Sequence, residues 1–322
     1  MRIGEIYRLA VEKGIEHDPR GREGVEKALA AAREKYEELK PEERAWYDQE
    51  KLTNPYSDTR LLYGDPEREV QCVLSGIDIE VGEVLLAERL SSRGQPIDLI
   101  IAHHPEGPAI AALHEVMHLQ EDVLARFGVP INIAEGIMAS RISEVKRGLL
   151  PLNHNRAVDA ARLLDIPFMC IHTAADNLVT HFLQALMDEK KPETLNDILK
   201  LLRELPEYAT ATRNGAGPEV VVGERERRAG KILVDMTGGT SGSEDAYSKL
   251  AQAGVGTLLV MHIDEKHRKE AEKNHINIIN AGHMASDSLG MNLFLDELEA
   301  RGIKVLPCAG LIRVVRQQKQ DG

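Results

Sequence analysis

Three short segments place imidazole and carboxylate groups directly after apolar runs. His103-His104-Pro105 follows Ile97–Ala102. His172-Thr173-Ala174-Ala175-Asp176-Asn177 follows Phe168-Met169-Cys170-Ile171. His283-Met284-Ala285-Ser286-Asp287 follows Ile276–Ala281 and Gly282. If each run is a strand, all three groups sit at carboxyl ends of strands, where open α/β sheets bind their ligands. Adjacent side chains on an extended chain point opposite ways, so His103 and His104 can serve one site only if the chain turns there, and Pro105 favours such a turn. A carboxylate such as Asp176 can offer one oxygen to each of two cations, or it can cap a helix starting near Leu178. His283 and Asp287, four residues apart, share one face if that segment is helical. Imidazole mixed with carboxylate suits Zn, Mn, Fe or Co better than Ca or Mg.

The elements that must position these groups can be read from periodicity. Val70–Ile77 and Ile97–Ala102 are strand candidates, with a helix over Glu80–Leu90 between them. Helical pattern follows over Ala109–Phe127 and Asn153–Leu164, then the strand Phe168–His172. Helix-like segments Leu178–Met187 and Leu195–Leu205 lead to a polar stretch near Arg213–Gly223. After it, strands Ile232–Asp235, Thr257–Met261, Ile276–Ala281 and Lys304–Leu306 alternate with helices Glu244–Ala253, Glu265–Asn274 and Ser286–Ala300. Such alternation predicts mainly parallel sheets covered by helices. Residues 1–55 form a helical N-terminal extension, 56–190 a first α/β lobe with a helical insert near 109–158, 191–230 a connector and 231–322 a second lobe. A glycine turn, Gly238–Gly242, lies between strand and helix and is either a plain tight turn or a cradle for phosphate.

The chain has 322 residues, with 40 basic against 52 acidic side chains and a net charge of −12. That acidity argues against general binding to nucleic acid or anionic membrane. Cys72, Cys170 and Cys308 are far apart and form no C-x-x-C pair, so buried reduced thiols are expected. The charged, amphipathic N-terminus lacks the apolar core of a signal peptide, and no long apolar run follows, which reads as a cytoplasmic protein.

The insert carries a competing motif, His114-Glu115-Val116-Met117-His118. This is the H-E-x-x-H pattern of zinc peptidases, in which two imidazoles on one helical face hold the metal and the glutamate is the base. Glu135 is the candidate third ligand. The motif would explain one helix but leave the other His/Asp segments without a role.

The stretch YGDPEREVQCVLSGIDIEVGEVL, continuing to PIDLIIAHHP, resembles the opening lobe of the NGG-one-interacting-factor-three family, also called GTP cyclohydrolase I type 2-like. IHTAADN resembles that family's HTNLD element. GGTSGS followed by LLVMHIDEKHRKEAEKNHINIINAGHMASD resembles its closing lobe. The resemblance covers about residues 60–105, 165–180 and 230–310. It implies two related α/β lobes facing across a two-metal site, with His103, His104, Asp176, His283 and Asp287 as ligands and His172 as a nearby pocket residue, which as a histidine beside the site is the first candidate for a catalytic proton shuttle. It also implies a ring-shaped homohexamer. The sequence departs from the family in carrying Asp287 where glutamate is usual, in its longer helical start, in the insert, and in a connector too short for the extra domain of longer members.

The resulting expectation is a metal-dependent hydrolase with two divalent ions (Zn, Mn, Fe or Co) activating water on a nucleotide or similar small molecule. The alternatives are a non-enzymatic metal-binding or regulatory protein and, less favoured, a zinc metallopeptidase through His114, Glu115 and His118.

Overall fold

The structure is a computed structural model and describes residues 1–316, so 317–322 of the expected second lobe lie outside the described residues. Nine strands form two sheets among the described residues: β1 (Thr59–Tyr63), β2 (Cys72–Gly76), β3 (Leu99–Ala102), β4 (Phe168–Ile171), β5 (Glu219–Val222), β6 (Lys231–Asp235), β7 (Val255–Val260), β8 (Asn277–Asn280) and β9 (Lys304–Cys308). The first sheet has the order β1-β4-β3-β2-β9 and the second β5-β8-β7-β6. In each, one antiparallel edge strand (β1 on β4, β5 on β8) flanks parallel strands. The two sheets are thus related, as two mainly parallel lobes predict.

Two strands that periodicity did not reveal are those antiparallel edges. β5 falls inside the segment read as a connector. The last strand also differs from expectation: β9 does not extend the second sheet but pairs with β2 in the first, in the register Val73 with Val305. The chain therefore crosses to the second lobe and returns. Nothing in a four- or five-residue apolar run indicates which edge will take it, because pairing partner is a long-range property.

The crossing is made by two long helices that lie between the sheets. His172–Lys190 leaves β4, and His283–Glu299 leaves β8. Residues 285–292 of the second are all buried. A helix enclosed on every side has apolar or small residues all round it and little amphipathic signal. Its Met291, Phe294, Leu295 and Leu298 pack with Val73, Leu99 and Val305 of the first sheet. Its Ala285 and Leu289 pack with Val234, Leu259 and Ile279 of the second.

At the N-terminus lie the helices Ile3–Glu16 and Gly21–Glu38. The first docks on the first lobe, burying Ile3, Ile6 and Ala10 in its core. The insert is less regular than its sequence suggests. Ala109–Phe127 divides into Gly107–Ala111, Leu113–Val116 and His118–Arg126 before the long helix Ile131–Leu149. Its Leu119, Val123, Leu124, Met138 and Ile142 cover Leu233, Leu258 and Val260 of the second sheet. The insert therefore supplies part of the helical layer that the second lobe lacks. Cys72 and Cys170 are buried free thiols, while Cys308 is only half-buried. Among the described residues no helix is long and apolar enough to cross a membrane.

Candidate metal centre

The three His/Asp segments converge where the carboxyl ends of the two sheets meet. His103 and His104 follow β3 directly, and their chain turns so that both rings face one point, 5.1 Å apart between centroids. The backbone N–H groups of His103 and His104 donate to Gly76 O (2.9 Å) and Ile77 O (3.0 Å), which fixes that turn against the neighbouring strand end. Asp176 does not cap a helix. The helix begins at His172, so His172 and Asp176 share a face one turn apart. His283 likewise opens its helix, after Gly282 at φ 104°, and Asp287 follows one turn on. Only glycine takes that backbone angle without strain.

His103 Nε2 lies 3.4 Å from Asp176 Oδ1 and 3.5 Å from Asp287 Oδ1. Asp287 Oδ2 lies 3.5 Å from His104 Nε2 and 3.3 Å from His283 Nε2. These spacings are long for hydrogen bonds. They suit ligands of a common ion, since two atoms each about 2.1 Å from a tetrahedral centre are about 3.4 Å apart. His103 Nε2, Asp176 Oδ1 and both Asp287 oxygens are buried with no hydrogen-bond partner. An unsatisfied buried polar group costs about 1–3 kcal/mol, and more if charged. Four such atoms aimed at one another fit a cation as the missing partner. Two of the potential ligand groups, His103/Asp176/Asp287 and His104/His283/Asp287, share Asp287. The sequence reading gave the shared role to Asp176, but only Asp287 has its two oxygens on opposite halves of the cluster.

Carboxylates orient two of the imidazoles. His104 Nδ1 donates to Asp78 Oδ1 (2.6 Å), and His172 Nδ1 donates to Asp58 Oδ2 (2.8 Å). In each case the Nε2 atom is left for the cluster, the usual arrangement behind a ligating histidine. His172 Nε2 stands 3.8 Å from Asp176 Oδ2. Asp58 is itself held by the Thr173 hydroxyl at 2.7 Å. The sequence reading missed both orienting carboxylates. Asp78 offered a signal, a strand-end carboxylate beside β2, whereas Asp58 precedes an unrecognised strand.

Burial alone would lower the His103 pKa, but Asp287 and Asp176 outweigh it and raise it to about 10. Burial would raise Asp287, yet His103, His104 and His283 hold it far below the carboxylate range. His172 is also raised, because Asp176 and Asp58 together outweigh burial. A proton on His103 and a bound cation compete for the same atoms, so cation uptake strengthens as pH rises.

A cavity of ≈ 110 Å³ opens beside the cluster, with His172, Asp176, His283 and Asp287 on its wall. Asp235, Tyr247, His262 and the turn Gly239–Ser243 also line it. Gln120 of the insert ties that turn down: its Nε2 donates to Gly238 O (2.7 Å) and Thr240 O (2.6 Å). A larger groove of ≈ 1220 Å³ near His17, His181 and Lys231 is lined by none of the candidate ligands, so size and chemistry point to different places. The unpaired donor atoms decide for the smaller cavity.

The H-E-x-x-H segment does not form a peptidase site. Its helical hydrogen bonding is interrupted at Met117, between Leu113–Val116 and His118–Arg126. Glu115 pairs with Lys51 at 2.7 Å, and the well-exposed His118 with Glu121. Among the described residues neither histidine belongs to any group of three potential ligands. Glu115→Gln is therefore expected to leave metal content and any hydrolytic activity within about twofold of the parent. A loss of orders of magnitude, as for a general base, would reverse this assignment.

Comparison with known proteins is consistent with the fold. A crystal structure of a NIF3 superfamily protein from Sphaerobacter thermophilus is 29% identical, with a TM-score of 0.71 over 79% of this chain and 92% of that one. Reduced HcgD from Methanocaldococcus jannaschii is 14% identical with a TM-score of 0.49, covering 77% and 87% of the two chains. A Bacillus cereus protein related to NIF3 is 11% identical with a TM-score of 0.41, covering 78% and 89%. No protein-family model matches the chain, and no curated protein matches it.

Proposed function

This chain belongs to the NIF3 superfamily, and we propose that it is a metal-dependent hydrolase acting on a nucleotide or similar heterocyclic small molecule. The observation that carries the proposal is the set of buried, unpaired donor atoms on His103, Asp176 and Asp287. One ion would be held by His103, Asp176 and Asp287, and a second by His104, His283 and Asp287. Zn, Mn, Fe and Co all suit this donor set. Bound there, two such ions supply Lewis acidity and a lowered pKa for water.

The chain's own residues supply the rest. His172, oriented through Nδ1 by Asp58, presents Nε2 toward the cluster, where it can accept a proton from water and return it to a leaving group. Ile263, Met261 and Val260 keep part of the cavity wall apolar and limit water. Assembly into a ring-shaped homohexamer belongs to this proposal, and sedimentation of the purified protein tests it.

A second reading has one observation in its favour. A cavity of ≈ 110 Å³ is small beside the roughly 300–1,000 Å³ of most small-ligand sites, which suits a metal-binding or regulatory protein without turnover. A screen of metal-loaded protein against nucleotides and related heterocycles separates the two. Turnover that falls at least 100-fold in Asp176→Ala supports the hydrolase. Two bound metals with no turnover across the screen support the regulatory reading.

A further inference from the structure

The cavity beside the metal cluster has an uneven charge. Among the residues that line it are three carboxylates, Asp176, Asp235 and Asp287, and no lysine or arginine. Asp176 and Asp287 face the histidines of the cluster. Asp235 is different. It closes β6, and strand alternation puts it on the same face as Leu233, which packs with Tyr247, Leu250 and Leu258 on the cavity side of the second sheet. No ion pair or side-chain hydrogen bond engages its carboxylate among the described residues, and more than a third of the residue's surface is open although the group sits within the cavity wall. Partial removal from water by the cavity wall raises its carboxyl to about 6, so it is largely ionised at neutral pH.

Water can satisfy this carboxylate while the cavity is open, and a ligand that displaces that water must supply hydrogen-bond donors or positive charge in its place. The Gly239–Ser243 turn and Tyr247 beside it offer no positive charge. A phosphate group seated there would meet Asp235 with no lysine or arginine to offset the repulsion; the bases of the wall are the histidines His172, His262, His267 and His283.

We propose that Asp235 is the specificity-determining residue of this cavity and takes a cationic or N–H-rich group of the ligand: an amidine, guanidine or amino-heterocycle edge. A carboxylate pairs with two parallel N–H donors of such a group through both oxygens, which fixes orientation as well as position. The inference deepens the hydrolase reading, because it names the end of the substrate that points away from the metals. The binding role itself does not require turnover.

Methylguanidinium and methylurea make a matched pair of probes, close in shape and differing in charge. Binding of each to the full chain is measured by calorimetry at pH 7.5, with metal loaded and with metal removed. The expected result is at least a tenfold preference for methylguanidinium in both forms, falling below twofold in Asp235→Asn. Metal content of Asp235→Asn should equal that of the parent, because Asp235 touches no candidate ligand. Equal binding of the two probes by the parent protein, which needs no variant, would overturn the proposal. So would an unchanged preference in folded Asp235→Asn, or tighter binding of inorganic phosphate than of methylguanidinium by the metal-free protein. Failure of the hydrolase reading would appear instead as absent turnover with the probe preference intact.

Discussion

Asp287→Ala should abolish metal binding at both halves of the cluster, whereas Asp176→Ala should weaken mainly one. The geometry makes the difference. Asp287 Oδ1 faces His103, and Oδ2 faces both His104 and His283, so removing this side chain takes a ligand from each group of donors. Asp176 approaches only His103 and His172. Metal-replete protein should carry close to two ions per chain, Asp176→Ala about one, and Asp287→Ala well under half of one. An affinity loss of at least 100-fold at each position is expected for Asp287→Ala, since even groups behind a ligand are worth 10–100-fold. Asp287→Glu should retain both ions, because it keeps two oxygens in place with one more methylene of reach. Equal losses in Asp176→Ala and Asp287→Ala, read by elemental analysis on folded protein, would return the shared role to Asp176.

The second large effect is expected at a residue without a side chain. Gly290, on the helix that carries Asp287, lies against the helix that carries Asp176. A Cβ placed there would stand 2.4 Å from Ala175 O and 3.1 Å from Ala175 C. These are backbone atoms, so the helices themselves must move apart. Gly290→Ala gains about 1 kcal/mol of helix propensity. Overpacking costs about 1–3 kcal/mol at a simple site and more where backbone must shift, so a net loss of about 1–2 kcal/mol is expected. Ala175 precedes Asp176 and Gly290 is three residues from Asp287, so the same displacement widens the cluster. Metal affinity should fall at least tenfold, and Gly290→Val should be worse on both counts. Denaturant unfolding of the metal-free protein and metal titration of the folded variant read the two effects separately. Parent-like stability together with parent-like affinity would show that this contact does not set the spacing.

The parts of this site that were legible in the sequence are those carried by local pattern. His103, His104, His172, Asp176, His283 and Asp287 could be picked out because each follows a short apolar run, and strand ends collect ligands. The structure brings all six together. The parallel strands and their helices were legible for the same reason. What local pattern could not show depends on contacts between distant segments. β9 pairs with β2 across more than two hundred residues of sequence. β1 and β5 are edge strands with mixed burial, and the apolar run in each, Leu61–Tyr63 and Val220–Val222, is only three residues long, too short to mark a strand by itself. The regular-looking insert is interrupted at Met117, and Glu115 and His118 pair with Lys51 and Glu121, which the spacing of an H-E-x-x-H motif does not disclose. The choice of Asp287 over Asp176 as the shared carboxylate rests on how two buried helices cross, and no spacing within either helix encodes it. Asp58 and Asp78 were overlooked because an orienting carboxylate is recognisable only once its histidine is in place.

The central claim is that the buried donor atoms around Asp287 hold metal ions between the two lobes. Anomalous diffraction at the metal edge, on crystals of metal-replete full-length protein, tests it most directly. The account predicts two peaks, one bounded by His103, Asp176 and Asp287, the other by His104, His283 and Asp287. No peak at the cluster, or peaks only at His114 and His118, would contradict it.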